Sequence, residues 1–285
     1  MRAEQMRDAL ARYCEGRIDA HVILMPERGD GLAAQERWAL SVPRDSVYFF
    51  PKTSVRALTT AAAQILKLRT RGILFDHVDE VPHRLRLALA DRHICCTHAQ
   101  FARIRAMASV GDRARLVLHA ADLRLDAVQP AQQDRFAPVY LGDPANTEIP
   151  DALRSQIAVL PARTRDEFAD QIRNLSHYNL HFAGRSFRKG QEGAAKPFLK
   201  GFTAAKLGAP ILLPRDVEDA VHFLGTDYPY FYDPAVGPQA VFERARDEFG
   251  GPVWQDARLR LRDTAAQSHP QVVATQLLNV VKELC

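Results

Sequence analysis

Two ammonium groups and a hydroxyl are spaced along one short segment, Lys196-Pro197-Phe198-Leu199-Lys200-Gly201-Phe202-Thr203-Ala204-Ala205-Lys206-Leu207-Gly208. At helical periodicity Lys196, Lys200 and Thr203 share one face, and Phe198, Phe202 and Ala205 take the opposite one. The apolar side can bury against a sheet while the other presents two positive charges near a helix start. Unpaired N–H groups and the helix dipole make such a start a seat for a diphosphate. An ordinary amphipathic helix with solvated lysines fits the same pattern.

Further positive charge lies just upstream, in the Gly/Lys/Arg-rich loop from Gly184 to Ala195 that contains Arg185, Arg188 and Lys189. Those side chains can neutralise a leaving anion. Gly142 follows an apolar stretch, Val139-Tyr140-Leu141, where a backbone without a side chain lets a phosphate approach closely. It also fits an ordinary turn. His181 and His222 are expected to be structural. Tyr228-Pro229-Tyr230-Phe231-Tyr232 reads as a buried aromatic strand, with base stacking as the alternative.

A second group of chemically capable residues is Asp76-His77-Val78-Asp79-Glu80, three acids and an imidazole in five positions, with His83 close behind. Asp76, His77 and Asp79 form the candidate catalytic centre. A carboxylate or imidazole there can take the proton from an attacking hydroxyl in an inverting group transfer. A retaining transfer needs no such base, and the same residues would then orient substrates. A solvated acidic turn is the competing reading. As metal ligands, Asp76, His77, Asp79 and His83 match no strong zinc spacing, and the chain contains no Asp-x-Asp. No metal site is expected.

The elements needed to position these residues alternate in type, which predicts an α/β fold with parallel sheets. A helix over about 3–14 precedes expected strands at Ala20–Met25, Ser46–Phe50, Gly72–Phe75, His93–Thr97 and Leu116–His119. The acidic loop therefore follows a strand, at the end where ligands bind in open α/β sheets. The polar stretch from Ala120 to Ala137 reads as a linker, dividing the chain into domains 1–130 and 131–285. In the second domain, strands are expected at Val139–Leu141, Ile157–Leu160, Tyr178–Ala183 and Ile211–Leu213. Thr164-Arg165-Asp166-Glu167 has the capping-box pattern that opens a helix. Three helices close the chain.

Composition narrows the classes. Hydrophobic residues make up 47% and charged residues 25% of 285, an ordinary globular balance. No apolar run reaches the roughly 20 residues that span a bilayer. The charged start is unlike a signal peptide, and Cys14, Cys95, Cys96 and Cys285 have no Cys-x-x-Cys spacing, so reduced thiols and a cytoplasmic location are expected. A net charge of +4 suits anionic ligands, but it is not concentrated as in nucleic-acid binders, and no nucleic-acid partner is expected.

Gly201-Phe202-Thr203-Ala204-Ala205 followed by Gly208-Ala209-Pro210 resembles the donor-site helix of GT-B glycosyltransferases. Phe75-Asp76-His77-Val78-Asp79-Glu80 and Val117-Leu118-His119-Ala120-Ala121-Asp122 extend the likeness. The resemblance implies two Rossmann-like domains facing across a cleft, the first lacking its first strand. It implies transfer of a sugar, in the manner of a hexosyltransferase, from a nucleoside diphosphate donor to a saccharide or related acceptor. Neither metal nor cofactor is implied. Gly142, Arg185, Lys196, Lys200 and Thr203 become the donor-binding set. Where such enzymes place a Glu against the ribose, this chain has the shorter, uncharged Thr203, which implies weak nucleotide binding. Polysaccharide assembly, with peripheral contact to membrane or other glycan-assembly enzymes, is the implied setting. The alternatives are a catalytically inactive GT-B-like subunit that binds a partner enzyme or glycan, and another nucleotide-binding α/β enzyme such as an epimerase.

Overall fold

The computed structural model describes residues 2–81, 84–129, 134–184, 194 and 196–285. In chain order the first part carries α1 (Arg2–Tyr13), α2 (Leu32–Ser41), β1 (Val47–Pro51), α3 (Thr53–Ala57), α4 (Thr60–Arg69) and β2 (Gly72–Asp76). It continues with α5 (Arg84–Leu87), β3 (Arg92–Cys95), α6 (His98–Arg105) and β4 (Ala114–Leu116). The second part begins with β5 (Pro138–Gly142), α7 (Asp151–Arg154), β6 (Ala158–Pro161), α8 (Arg165–Ile172) and β7 (Leu180–Phe182). Next come α9 (Leu199–Lys206), β8 (Ile211–Pro214), α10 (Ala220–Leu224), β9 (Phe231–Tyr232), α11 (Gln239–Asp247), α12 (Pro252–Gln267) and α13 (Pro270–Lys282).

The strands form two parallel sheets, ordered β1-β2-β3-β4 and β6-β5-β7-β8-β9. Two compact units hold them. One comprises Met1–His119 with Gly193–Pro197 and Pro270–Cys285; the other comprises Ala120–Glu192 and Phe198–His269. The expected division into 1–130 and 131–285 departs from this at the C-terminal end, because α13 packs against α1. Glu283, just past α13, clamps this return by accepting from Arg92 at 2.8 Å and from Arg115 at 2.7 Å.

In the first unit β2 is buried along its whole length, as a central parallel strand must be. Its Ile73 and Phe75 share a core with Phe50 of β1, Leu58, and Ala62, Ala63 and Leu66 of α4. The expected strand at Ala20–Met25 is absent: this stretch pairs with no other strand. Its ends are tied by buried Cys14 upstream and by Met25, which packs on the core downstream. Val22, Ile23 and Leu24 are exposed, so these β-favouring residues stay outside the sheet.

In the second unit the strand order, renumbered within the sheet, is 2-1-3-4-5, a doubly wound pattern whose switch point lies between β5 and β7. Thr164 caps α8 by accepting from the Glu167 N–H at 3.1 Å, as its motif predicts. Tyr228, Tyr230 and Trp254 are buried against this sheet, which is the aromatic packing expected of that segment. Tyr228 is fixed by hydrogen bonds of 2.9 Å to the Ile211 backbone. No described helix is long and apolar enough to cross a membrane.

Candidate functional site

Chemistry-bearing residues collect at the carboxyl ends of both sheets. In the first unit β2 ends on Asp76, which is fully buried, and its Oδ2 accepts from Arg2 Nε of α1 at 2.7 Å. Arg2 also donates to the carbonyls of Val117 and Leu118. One guanidinium thus ties the end of β2 to the chain that follows β4. Burial raises the Asp76 pKa and Arg2 opposes the rise.

His77 is buried beside it, and its Nε2 lies 3.0 Å from Nδ1 of His93 on β3, so one of the two nitrogens carries the shared proton. Burial, then the neighbouring His93, lowers the His77 pKa to about 3; burial, then Arg113, lowers that of His93 to about 4. Both rings are therefore neutral near pH 7. Gln100 of α6 fixes the loop, donating to the His77 carbonyl at 2.9 Å and accepting from the Cys96 N–H.

Asp79 is the most accessible of the three candidate catalytic residues. Its carboxylate meets Lys52 Nζ at 2.9 Å, with the two side chains 36% and 53% exposed. Both residues have positive φ, 56° at Asp79 and 51° at Lys52, a conformation that non-glycine residues rarely adopt. Glu80 pairs with Arg56 at 2.9 Å. Each acid of the loop thus has a cation opposite it. Arg2, Lys52 and Arg56 are the partners that the sequence pattern did not single out. His83, Arg185, Arg188 and Lys189 lie outside the described residues. No set of three or more His, Cys, Asp or Glu among the described residues is placed to hold a metal.

The second unit is built differently. Gly142 ends β5 at the switch point with φ of 145°; a Cβ there would lie 2.9 Å from Lys200 Nζ and 3.1 Å from Tyr140 Oη. The bare backbone leaves room for the Lys200 ammonium, which donates to the Leu141 carbonyl and lies 4.1 Å from the centre of the Tyr140 ring. Tyr140 in turn donates to the Asp143 carbonyl at 2.9 Å. Thr147 closes the far rim by donating to the Gly184 carbonyl, just past β7, at 2.7 Å. His181 on β7 is buried and its Nε2 has no partner among the described residues; burial, then nearby Lys200, lowers its pKa to about 3. It is neutral near pH 7.

Lys200 stands on α9, whose packing follows from its phenylalanines. Phe198 stacks on Phe223 with ring centres 5.7 Å apart, and Phe202 meets both rings edge-on. Gly201 permits this, since a Cβ there would lie 2.0 Å from the Phe198 ring. Thr203 is half-buried on the same helix.

The helix starts at Leu199, not Lys196, and this corrects the expected arrangement. Pro197 biases the residue before it away from helical conformation, and Lys196 belongs to the first unit while Lys200 belongs to the second. The two lysines therefore do not share a helical face. Nor is Lys200 simply solvated: it is half-buried and already engaged.

No family model matches the chain, and no curated protein matches it in sequence. Solved structures match over nearly its whole length. A glycosyltransferase from Rickettsia africae is similar at a TM-score of 0.62 and 9% identity, covering 96% of this chain and 87% of that one. A UDP-N-acetylglucosamine 2-epimerase aligns at 0.57 and 11% identity over 100% and 93%. HepE from Anabaena, in complex with UDP and glucose, aligns at 0.57 and 10% identity over 97% and 89%. The chain has a GT-B-like α/β fold.

Proposed function

We propose that this chain is a glycosyltransferase that moves a sugar from a nucleoside diphosphate donor to a saccharide or related acceptor. The observation that carries the reading is the switch point of the second sheet. There Gly142 leaves an opening, and the Lys200 ammonium in it donates to the Leu141 carbonyl and lies over the Tyr140 ring. A phosphate is a stronger partner than either. On donor binding Lys200 turns from the Leu141 carbonyl to the diphosphate and stabilises the charge that builds up as the sugar leaves. Thr203 meets the ribose through a neutral hydrogen bond, and Lys196 and Arg185 add positive charge. This charge set serves donor binding without a metal ion. UDP is the first nucleotide to test, because HepE, similar in fold, was captured with it.

On the acceptor side Asp79 is assigned the general-base role of an inverting transfer, since its carboxylate is accessible and is paired with exposed Lys52. Asp76 and His77, buried behind it, are assigned to holding the loop. The proposed setting is glycan assembly in the cytoplasm, with peripheral contact to membrane or partner enzymes.

The pairing of every acid in the loop favours a second reading, a GT-B-like subunit that binds nucleotide sugar or glycan without turning it over. A thermal-shift panel of UDP, GDP and TDP, followed by donor hydrolysis, separates the two. The transferase reading expects stabilisation by one nucleotide and slow hydrolysis of its sugar, with turnover lowered about 10²–10⁴-fold in Asp79→Asn. Nucleotide binding with no turnover of any donor supports the second reading. Indifference to all nucleotides removes both donor assignments.

A further inference from the structure

The second unit contains a cleft of about 340 Å³ along the open edge of its sheet, between β9 and α11, that the donor reading does not use. Pro229, Phe231, Val236, Ala240 and Val241 supply its apolar wall. Val236 is 80% exposed, an aliphatic side chain presented to solvent with nothing packed over it. Two arginines complete the lining. Arg215 lies over the Phe231 ring at 5.1 Å and donates to the Thr226 carbonyl at 2.6 Å; Arg244 donates to the Pro229 carbonyl.

The charges of the cleft are unevenly committed. Asp227 spends both carboxylate oxygens on Arg260, at 2.5 and 2.9 Å, which leaves Asp233, held by the Ala235 N–H at 2.8 Å, as a single carboxylate against two arginines. Arg215 and Arg244, by contrast, each have five N–H donors and face only neutral carbonyls and a ring. The anchoring carbonyls hold each guanidinium in place, so little rotamer freedom remains to be lost on binding. The lining thus has an excess of positive charge beside an exposed apolar surface. A planar oxyanion matches a guanidinium fork, and an apolar body on that anion matches Val236 and Val241.

We propose that this cleft is a binding site for a small organic carboxylate carried on an apolar body, separate from the donor site at Gly142. Calorimetric titration of the full chain with benzoate tests it, alongside sulfate, which has charge without the body, and benzylamine, which has the body with opposite charge. Benzoate is expected to bind saturably and more tightly than either control, with its affinity unchanged by saturating UDP. Arg215→Gln and Arg244→Gln should each weaken benzoate about tenfold, and Val236→Asp should abolish binding. Equal binding of benzoate and sulfate, no benzoate binding, or unchanged affinity in both arginine variants overturns the assignment. The probe comparison needs no variant. Because it reads a different cleft, failure of nucleotide binding would leave it intact, and its failure would leave the donor reading intact.

Discussion

The acidic loop after β2 and the opening after β5 occupy equivalent places, each at the carboxyl end of a parallel sheet, yet their charges are held in opposite ways. Asp76 is locked to Arg2 with both groups out of water, so replacing either partner exposes the full cost of a buried charge. Lys200 donates to a carbonyl and lies over an aromatic ring, contacts weaker than one to an incoming phosphate. The first arrangement fixes a backbone; the second sets an ammonium at the switch point of a sheet. Residue type alone does not distinguish them, since aspartate and lysine are equally capable of chemistry. What distinguishes them is the partner.

The most direct way to break this contrast is at Arg2. Arg2→Met should destabilise the fold by about 3–5 kcal/mol in urea denaturation, with much of that recovered by adding Asp76→Asn. If Arg2→Met is neutral, Asp76 is not committed and returns as a candidate base. At the other pole, Lys200→Met should weaken UDP binding by about 1.5–3 kcal/mol in isothermal titration while costing about 1 kcal/mol of stability. A stability loss matching that of Arg2→Met would show that Lys200 too is a structural anchor.

Acid sharpens the comparison on a smaller scale. His77, His93 and His181 are all held neutral by burial, with pKa values near 3, 4 and 3 against an ordinary 6.5. As pH falls, the unfolded chain takes up these protons first. Their contribution is therefore complete above pH 6.5 and is lost progressively down to the folded values, by about 1.4 kcal/mol per pH unit for each ring. Urea midpoints at pH 7 and pH 5 avoid the titration of most carboxylates. A His77→Leu, His93→Leu double variant should flatten the difference, and an unchanged slope would mean those rings are solvated. The smallest effect is expected at the exposed pair: Lys52→Met should change stability by only about 0.2–1 kcal/mol. A cost like that of Arg2→Met would place Asp79 among the locked residues as well.

The alternation of elements, the parallel sheets and the loops that follow β2 and β5 were all legible in the residue pattern, because period and turn chemistry are local. Three features were not. The run Ala20–Met25 has the composition of a strand, but strand formation requires a free edge in register, and that depends on the whole sheet. The acids at 76, 79 and 80 read as a reactive cluster because their partners Arg2, Lys52 and Arg56 lie 24 or more positions away or in another element. Lys196 and Lys200 read as one face because periodicity was extended through Pro197, where the chain is not helical. In the site, Gly142 and Lys200 were each visible in the sequence, but their meeting at one opening was not.

The return of α13 to the first unit has a consequence for how the protein is made. Its first sheet is translated early, but the helix that packs against α1, and the Glu283 clamp on Arg92 and Arg115, leave the ribosome only after the whole second unit. The whole second unit can fold as an insertion while the first waits, with apolar surface on α1 uncovered. Closing a unit across so long a stretch of chain is slow relative to forming local contacts. A stop placed just before α13 would therefore damage the first unit, leaving the second sheet assembled and the first one a target for chaperones and proteases.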